Sequence, residues 1–379
     1  MQVMFTCVPG HGHLNPLVPV ARALAARGCD VLFVTGRELV SRVEELGFAC
    51  AAAGPTLAEM EASALADDEV LAALDTEPWV VAAAIFGGRA RPVLEDLDGL
   101  PMAPDLVVHD AMEMAGPIIA ARSGVRWVTH GLGPRWPSLV EDAMPDFVDE
   151  VWRANGLEPV ARGGLGHHAF VEICPSVVRS DNRRHDDRII ESRSVPLEEP
   201  ASQISAFGDN DRPNVYCTLG TFTNSNVEVF RTLLDAFASL ELDVLLTTGA
   251  GIGRNELGLL PTNVTVEDYV PQAQVLTRAD LVVCHGGSGT MLASLGAGVP
   301  IFAMPQGADQ FVNAPWWARS GAVRVVPAAV LDPGSLAALV ESALADQALR
   351  AAAAAVAQDI AAMPSPAETA DKLLALAGR

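Results

Sequence analysis

The residues best suited to chemistry fall in a few short stretches. Residues 281–290 read LVVCHGGSGT: an apolar run enters His285-Gly286-Gly287-Ser288-Gly289-Thr290, and a helical pattern opens directly afterwards. Glycines let the main chain come close to a ligand, and a helix start offers unpaired N–H groups carrying partial positive charge. That combination suits a diphosphate, with the Ser288 and Thr290 hydroxyls and His285 as further donors. A tight strand-to-helix turn without a ligand is the plainer alternative. The stretch is not a Walker A loop, because no Gly-Lys-Ser/Thr follows and the only lysine of the chain is Lys372.

A second stretch, Pro9-Gly10-His11-Gly12-His13-Leu14-Asn15-Pro16, holds two histidines, the side chain most ready to exchange a proton near neutral pH. No third ligand stands at metal spacing from His11 and His13. Capping a helix is the plain role for His13; proton transfer is the sharper one, and it needs a carboxylate to hold the ring. Asp110, just past the apolar run 105–109, is expected at the same edge of the same sheet. There it would fix the imidazole tautomer and stabilise the imidazolium formed when a hydroxyl is deprotonated. A helix N-cap is the plain role for Asp110. Asp309-Gln310 follows the run 300–304 and a Pro-Gln-Gly turn, where acid and amide suit sugar hydroxyls, although in isolation an ordinary helix start is the plainer reading. The loop Tyr269-Val270-Pro271-Gln272 offers main chain to a nucleobase edge.

The elements needed to place these residues are legible. Residues 2–8 form a continuous apolar run closed by Pro9-Gly10, the pattern of a buried parallel strand. Asn15-Pro16 predicts the start of the next helix, which keeps an apolar stripe until Gly28. Strands at 30–35, 105–109 and 126–129, with a helix at 111–123, continue the alternation and make the fold class α/β. Residues 195–214 lack periodicity and carry three prolines, as an interdomain linker would. Strands at 215–219, 243–248, 281–284 and 300–304 and a helix at 227–239 then restart the pattern. A final helix at 365–377 opens at Ser365-Pro366. The expected domains are residues 1–200, the linker 195–214, residues 214–363, and a C-terminal helix 364–379 that crosses back to the first domain. Two open α/β sheets imply a cleft where ligands bind.

Composition excludes several functions. The chain has 379 residues, half of them hydrophobic, with 25 Lys+Arg against 47 Asp+Glu and a formal net charge of −22. Nucleic acid and anionic membranes need clustered cations and are not expected partners. An anionic ligand must be held by local dipoles against the overall field. None of the six cysteines stands in a C-x-x-C pair; Cys7, Cys217 and Cys284 sit in short apolar runs and read as buried core thiols, and a reducing cytoplasm is the expected compartment. A signal peptide is not expected, since the apolar run 3–8 is broken at once by Pro9-Gly10, nor is a membrane span, which needs about 20 apolar residues. Residues 249–254 (GAGIGR) and the first turn both lack the G-x-G-x-x-G fingerprint, which argues against a nicotinamide oxidoreductase. The acidic triplets at 96–98 and 209–211 read as solvated.

Together, GHGHLNP in the first turn and DYVPQAQVLTRADLVVCHGGSGTMLASLGAGVPIFAMPQGADQ in the second half resemble the inverting nucleotide-sugar glycosyltransferases of GT-B fold. The resemblance is to the branch that decorates bacterial antibiotics of macrolide and enediyne type. It implies two Rossmann-like domains facing across a cleft, no metal, and no cofactor beyond the nucleotide-sugar cosubstrate. By the same resemblance His13 is the general base and Asp110 its partner. His285 with Gly287, Ser288, Gly289 and Thr290 holds the diphosphate, Gly220 and Thr221 approach it, Val270 meets the base, and Asp309 and Gln310 meet the sugar. Relatives that use uridine diphosphate carry a glutamate eight residues after the motif histidine, where it accepts from both ribose hydroxyls. Ala293 occupies that place here. A thymidine-diphosphate deoxysugar lacks one of those hydroxyls and is the expected donor. The other partner would be an apolar aglycone, with Trp79, Phe86, Met112, His130 and Trp136 as candidate wall residues, each of which also reads as core. A sugar-nucleotide epimerase or hydrolase on the same scaffold, or a silent partner that activates another transferase, are the competing readings. The oligomeric state is left open.

Overall fold

The computed structural model describes all residues except 75, 180–187, 198–206, 209, 221–226, 250–251, 308, 327–331 and 379. Thr221 therefore lies outside the described residues, as does much of the expected linker. The chain divides into two compact units. The first comprises Met1–Ile173, Ser180–Arg193 and Pro364–Arg379; the second comprises Cys174–Arg179 and Ser194–Met363.

Among the described residues, seven parallel strands build the first unit: β1 (Gln2–Thr6), β2 (Asp30–Thr35), β3 (Ala49–Ala52), β4 (Leu106–Asp110), β5 (Trp127–His130), β6 (Phe170–Glu172) and β7 (Ile189–Glu191). They lie in the order β3-β2-β1-β4-β5-β6-β7. Apolar residues on both faces of the central strands explain this arrangement, since a parallel sheet must be covered on each side. The order reverses between β1 and β4, and a crevice at the carboxyl ends of such strands is where open α/β sheets take ligands. The C-terminal helix Pro366–Leu376 belongs to this unit. Its Ser365–Glu368 capping box is complete, Leu373 and Leu376 are buried, and Asp371 pairs with Arg27 at 2.5 Å.

The second unit repeats the plan, with six parallel strands among the described residues. They are β8 (Asn214–Thr218), β9 (Asp243–Thr247), β10 (Val264–Glu267), β11 (Leu281–Cys284), β12 (Ile301–Ala303) and β13 (Val323–Val325). Their order is β10-β9-β8-β11-β12-β13, so the reversal falls between β8 and β11. Cys217 and Cys284 are buried free thiols inside the second sheet, and Cys7 is a third just past β1. Among the described residues no helix is long and apolar enough to cross a membrane.

Two sequence expectations require correction. The first helix starts at His11, with Gly10 as N-cap, and runs to Ala25 through Pro16 and Pro19. Asn15 is inside it and caps nothing. An internal proline costs about 3 kcal/mol, but Leu14, Leu17, Val18, Ala21 and Leu24 are wholly buried along this helix, and that packing carries it through both prolines. Asp110 is likewise the last residue of β4. The following helix, Ala115–Arg122, begins later than expected with Met114 as its N-cap, which removes the capping role for Asp110.

Candidate functional site

At the β1/β4 reversal the structure brings His13 and Asp110 together. His13 is the third residue of its helix, and its Nδ1 lies 3.3 Å from Asp110 Oδ2. This is an ion-pair distance whose angle falls short of a full hydrogen bond. Asp110 is wholly buried and held at both oxygens: the Val8 amide donates to Oδ2 at 2.7 Å and the Met112 amide to Oδ1 at 2.6 Å. Burial pulls this carboxyl upward, but the neighbouring His13 charge and the two amides overcome it and keep the group below its usual range. An ionised carboxylate facing Nδ1 leaves the opposite ring nitrogen, Nε2, to meet a reacting proton. The His13 side chain is 20% exposed, enough for contact with a small molecule.

Aromatic residues flank the pair. The Phe86 ring, near the end of the helix Pro78–Gly87, is centred 5.9 Å from that of His13, and Trp136 meets Phe86 edge-on at 5.8 Å. Trp136 and Met112 also line a small pocket with Leu132, Arg135, Glu141 and Phe170. Two other candidates fall elsewhere. Trp79 packs half-buried against the core of the first unit. His130 is wholly buried, with Nδ1 bonded to the Gly131 carbonyl at 2.7 Å, which makes it a core histidine rather than an open wall. Burial pushes its ring down to about 4, so it is neutral near neutral pH.

At the β8/β11 reversal of the second unit, β11 delivers His285 into the glycine-rich turn. His285 is buried, burial pushes its ring down to about 4 against the influence of the Thr218 main chain, and its Nδ1 has no hydrogen-bond partner. Gly220 and Gly287 wall the ring: a Cβ on either would lie 2.5 Å from Cε1 or 2.4 Å from Nε2, respectively. Gly220 thus seats the histidine. The helix Ser288–Gly296 opens at N-cap Gly287 without any side-chain cap, so the Ser288, Gly289 and Thr290 amides are offered to a ligand. The Thr290 hydroxyl accepts from Gln272 Nε2 at 3.0 Å, which ties the Val270 loop to the turn. Ala293 stands one helical turn beyond Thr290 and is partly exposed.

Gln310 is buried, and its Oε1 accepts from the Gln306 amide at 2.8 Å and the Gly307 amide at 3.3 Å. It therefore holds its own turn and leaves only the side-chain NH2 for other contacts. Asp309 accepts from Asn313 Nδ2 at 2.8 Å. Tyr269 is 68% exposed. Among the described residues no three His, Cys, Asp or Glu side chains gather as a metal site.

Sequence reasoning missed Glu113 and Arg89, a buried pair whose carboxylate stands three residues past Asp110. The signal was present: Glu113 is the one charge in the apolar run 111–121, and a charge at a buried position demands a partner.

Residues 231–376 match the family described as erythromycin biosynthesis protein CIII-like, C-terminal domain. The whole chain is similar to the L-demethylnoviosyl transferase of Streptomyces niveus, 30% identical over 383 residues, covering 99% of this chain and 98% of that one. It is 33% identical over 390 residues to the elloramycin glycosyltransferase ElmGT of Streptomyces olivaceus, covering 98% and 97%. Among solved structures, the glycosyltransferase SnogD from Streptomyces nogalater superposes over 100% of both chains with a TM-score of 0.81 at 28% identity.

Proposed function

The chain belongs to the antibiotic-pathway glycosyltransferases, enzymes that draw on a nucleotide sugar, and we propose that it moves a deoxysugar from dTDP to a hydroxyl of a natural-product aglycone with inversion. The observation that carries this reading is the His13–Asp110 pair, 3.3 Å apart, with the carboxylate clamped by two amides.

His13 Nε2 takes the proton of the acceptor hydroxyl as its oxygen attacks the anomeric carbon. The new C–O bond forms as the bond to the diphosphate breaks, and the bonding pair leaves with the diphosphate. One displacement inverts the centre. Asp110 does not take the proton; its charge stabilises the imidazolium and holds Nδ1–H toward itself. The leaving charge meets the Ser288, Gly289 and Thr290 amides and the Ser288 hydroxyl, fixed donors of the kind that stabilise developing negative charge without a metal. Buried Nδ1 of His285 is a further donor. The Val270 main chain reads the base, and Asp309 with the Gln310 NH2 meets the sugar. Phe86, Trp136 and Met112 form the wall for the aglycone.

Ala293 supports dTDP over UDP, because no carboxylate stands there to accept from two ribose hydroxyls. Replacing His13 with Ala should lower kcat by about 10²–10⁴; full transfer by that variant would remove the base assignment. Thermal stabilisation by dTDP should exceed that by UDP, and the reverse order would remove the donor assignment.

A further inference from the structure

Three residues beyond Asp110 stands a second buried carboxylate to which the transfer chemistry gives no part. Glu113 is wholly buried, and Arg89 beside it is 1% exposed. Glu113 Oε1 accepts from the Ala115 amide at 2.9 Å, with Arg89 Nη1 at 3.5 Å. Its Oε2 accepts from the Gly116 amide at 2.8 Å and the Thr6 hydroxyl at 2.5 Å. The Glu113 carbonyl accepts from His109 Nδ1 at 2.8 Å, and Arg89 Nη2 donates to the Ala53 carbonyl at 2.7 Å. Residues 111–112 are therefore bracketed by two anchored carboxylates, and the Met112 amide between them is one of the two that hold Asp110. Arg89 follows Phe86 by three residues, so one turn of chain both packs a ring on His13 and delivers the guanidinium to Glu113.

A buried ion pair is often no better for stability than apolar residues of the same size. Its use here is electrostatic. Asp110 and Glu113 both act electrostatically on Cys7 and on His109, and Arg89 offsets the Glu113 charge that would otherwise add to that of Asp110 in the same interior. Besides His13, the groups among the described residues that interact electrostatically with these carboxylates are Cys7 just past β1, His109 from β4, His130 from β5, and Arg89. Burial raises the Cys7 thiol far above its usual range and lowers both histidines, so these three are neutral near pH 7. Arg89 and Glu113 are the charges that remain.

We propose that Arg89 and Glu113 are positioning residues: Glu113 anchors the segment that holds the Met112 amide against Asp110, and Arg89 balances the Glu113 charge, so that His13 is seated and charged correctly during transfer. The proposal rests on the reading of His13 as the base, and its test separates the two.

The test follows the His13 ring titration by NMR in the wild type, Glu113→Gln, Arg89→Met and the double variant, with kcat and KM measured alongside. Glu113→Gln leaves the Arg89 charge unopposed and lowers the His13 titration point. Arg89→Met leaves Glu113 unopposed and raises it; the double variant returns toward wild type. Each single variant loses about tenfold to a hundredfold in kcat, the scale of a slight misplacement of a reacting group, while KM for the donor holds. Arg89→Lys, which keeps the charge, leaves the titration near wild type and serves if Arg89→Met fails to fold. Unmoved titrations, or shifts in the same direction in both single variants, would overturn the proposal by leaving only a structural role. If His13→Ala transfers at full rate while the titrations still move oppositely, the base reading falls and the positioning stands. If the titrations stay still while His13→Ala is inactive, the reverse holds.

Discussion

A methyl group on Gly287 tests whether the glycine-rich turn is shaped around His285. Its Cβ would lie 2.4 Å from Nε2 and 2.9 Å from Cε1 of the ring; one on Gly220 would lie 2.5 Å from Cε1 and 2.6 Å from Nε2. Non-bonded carbons rest at about 3.5–4.0 Å, so each overlap is roughly 1 Å. The ring is buried and walled on both sides by these same glycines, so it cannot simply slide away from either. Overpacking of this kind costs about 1–3 kcal/mol. Gly287 has φ −64°, acceptable to alanine, so Gly287→Ala carries only that cost. Gly220 has φ +74°, where a side chain adds about 1–2 kcal/mol, which brings Gly220→Ala to about 2–5 kcal/mol. At about 2–4 °C per kcal/mol for a domain of this size, Gly287→Ala should lower Tm by roughly 2–12 °C and Gly220→Ala by more. Calorimetry of both variants reads the order, and isothermal titration with dTDP reads the site. Dissociation constants should rise about tenfold or more in both, since the ring and the first amides of the helix Ser288–Gly296 move together. Wild-type melting and wild-type dTDP affinity in Gly287→Ala would refute the crowding argument.

Three other outcomes are expected. His130 and His285 are held neutral by burial at about 4, against 6.5 when unfolded. The unfolded chain therefore takes up protons first as pH falls: stability from each is full above pH 6.5 and drains toward pH 4, with about 2 kcal/mol per histidine gone by pH 5. Calorimetry from pH 7 to 4 should show a decline that is shallower in His130→Asn; equal slopes would count against it. Phe86→Ala removes the ring beside His13 and should cut kcat/KM for the aglycone about tenfold, a change visible in steady-state kinetics, with dTDP affinity unaltered. Asp110→Asn removes the charge behind the imidazolium and should cost about 10²–10⁴ in kcat at unchanged donor KM; near-native turnover would show that the carboxylate only holds the loop.

Much of this was readable from residue types. Strands 30–35 and 281–284 fall where apolar runs end at turn residues, and the Ser365–Glu368 cap is a local signal complete in itself. The first helix was harder, because Asn15-Pro16 carries a strong local start signal that only tertiary packing overrides. The part of Gly220 was hidden for a related reason. Glycine after a strand announces free space, but what fills the space is a histidine 65 positions later, on a strand that becomes its neighbour only when the sheet forms. Gln310 shows the opposite failure: an amide beside an acid invites a ligand reading, yet most of its acceptor capacity is spent on its own turn. Glu113 was legible as a charge among apolar residues, but its partner Arg89 stands 24 residues earlier, at the N-cap of the helix Ala90–Asp96, and could not be inferred from spacing.

The chain passes from one unit to the other after residues 173, 179, 193 and 363, and its last helix is pinned to its first through Arg27 and Asp371. Genetic exchange between relatives must respect that stitching. A hybrid made with one junction near residue 193 would dock a foreign terminal helix on the native opening helix and mismatch Arg27, Ala367 and Asp371. Two crossovers, one at 193/194 and one at 363/364, would transplant most of the rear half while sparing the seam. Recombination between biosynthetic clusters would then be expected to leave residues 364–379 travelling with the beginning of the gene rather than with the segment beside them.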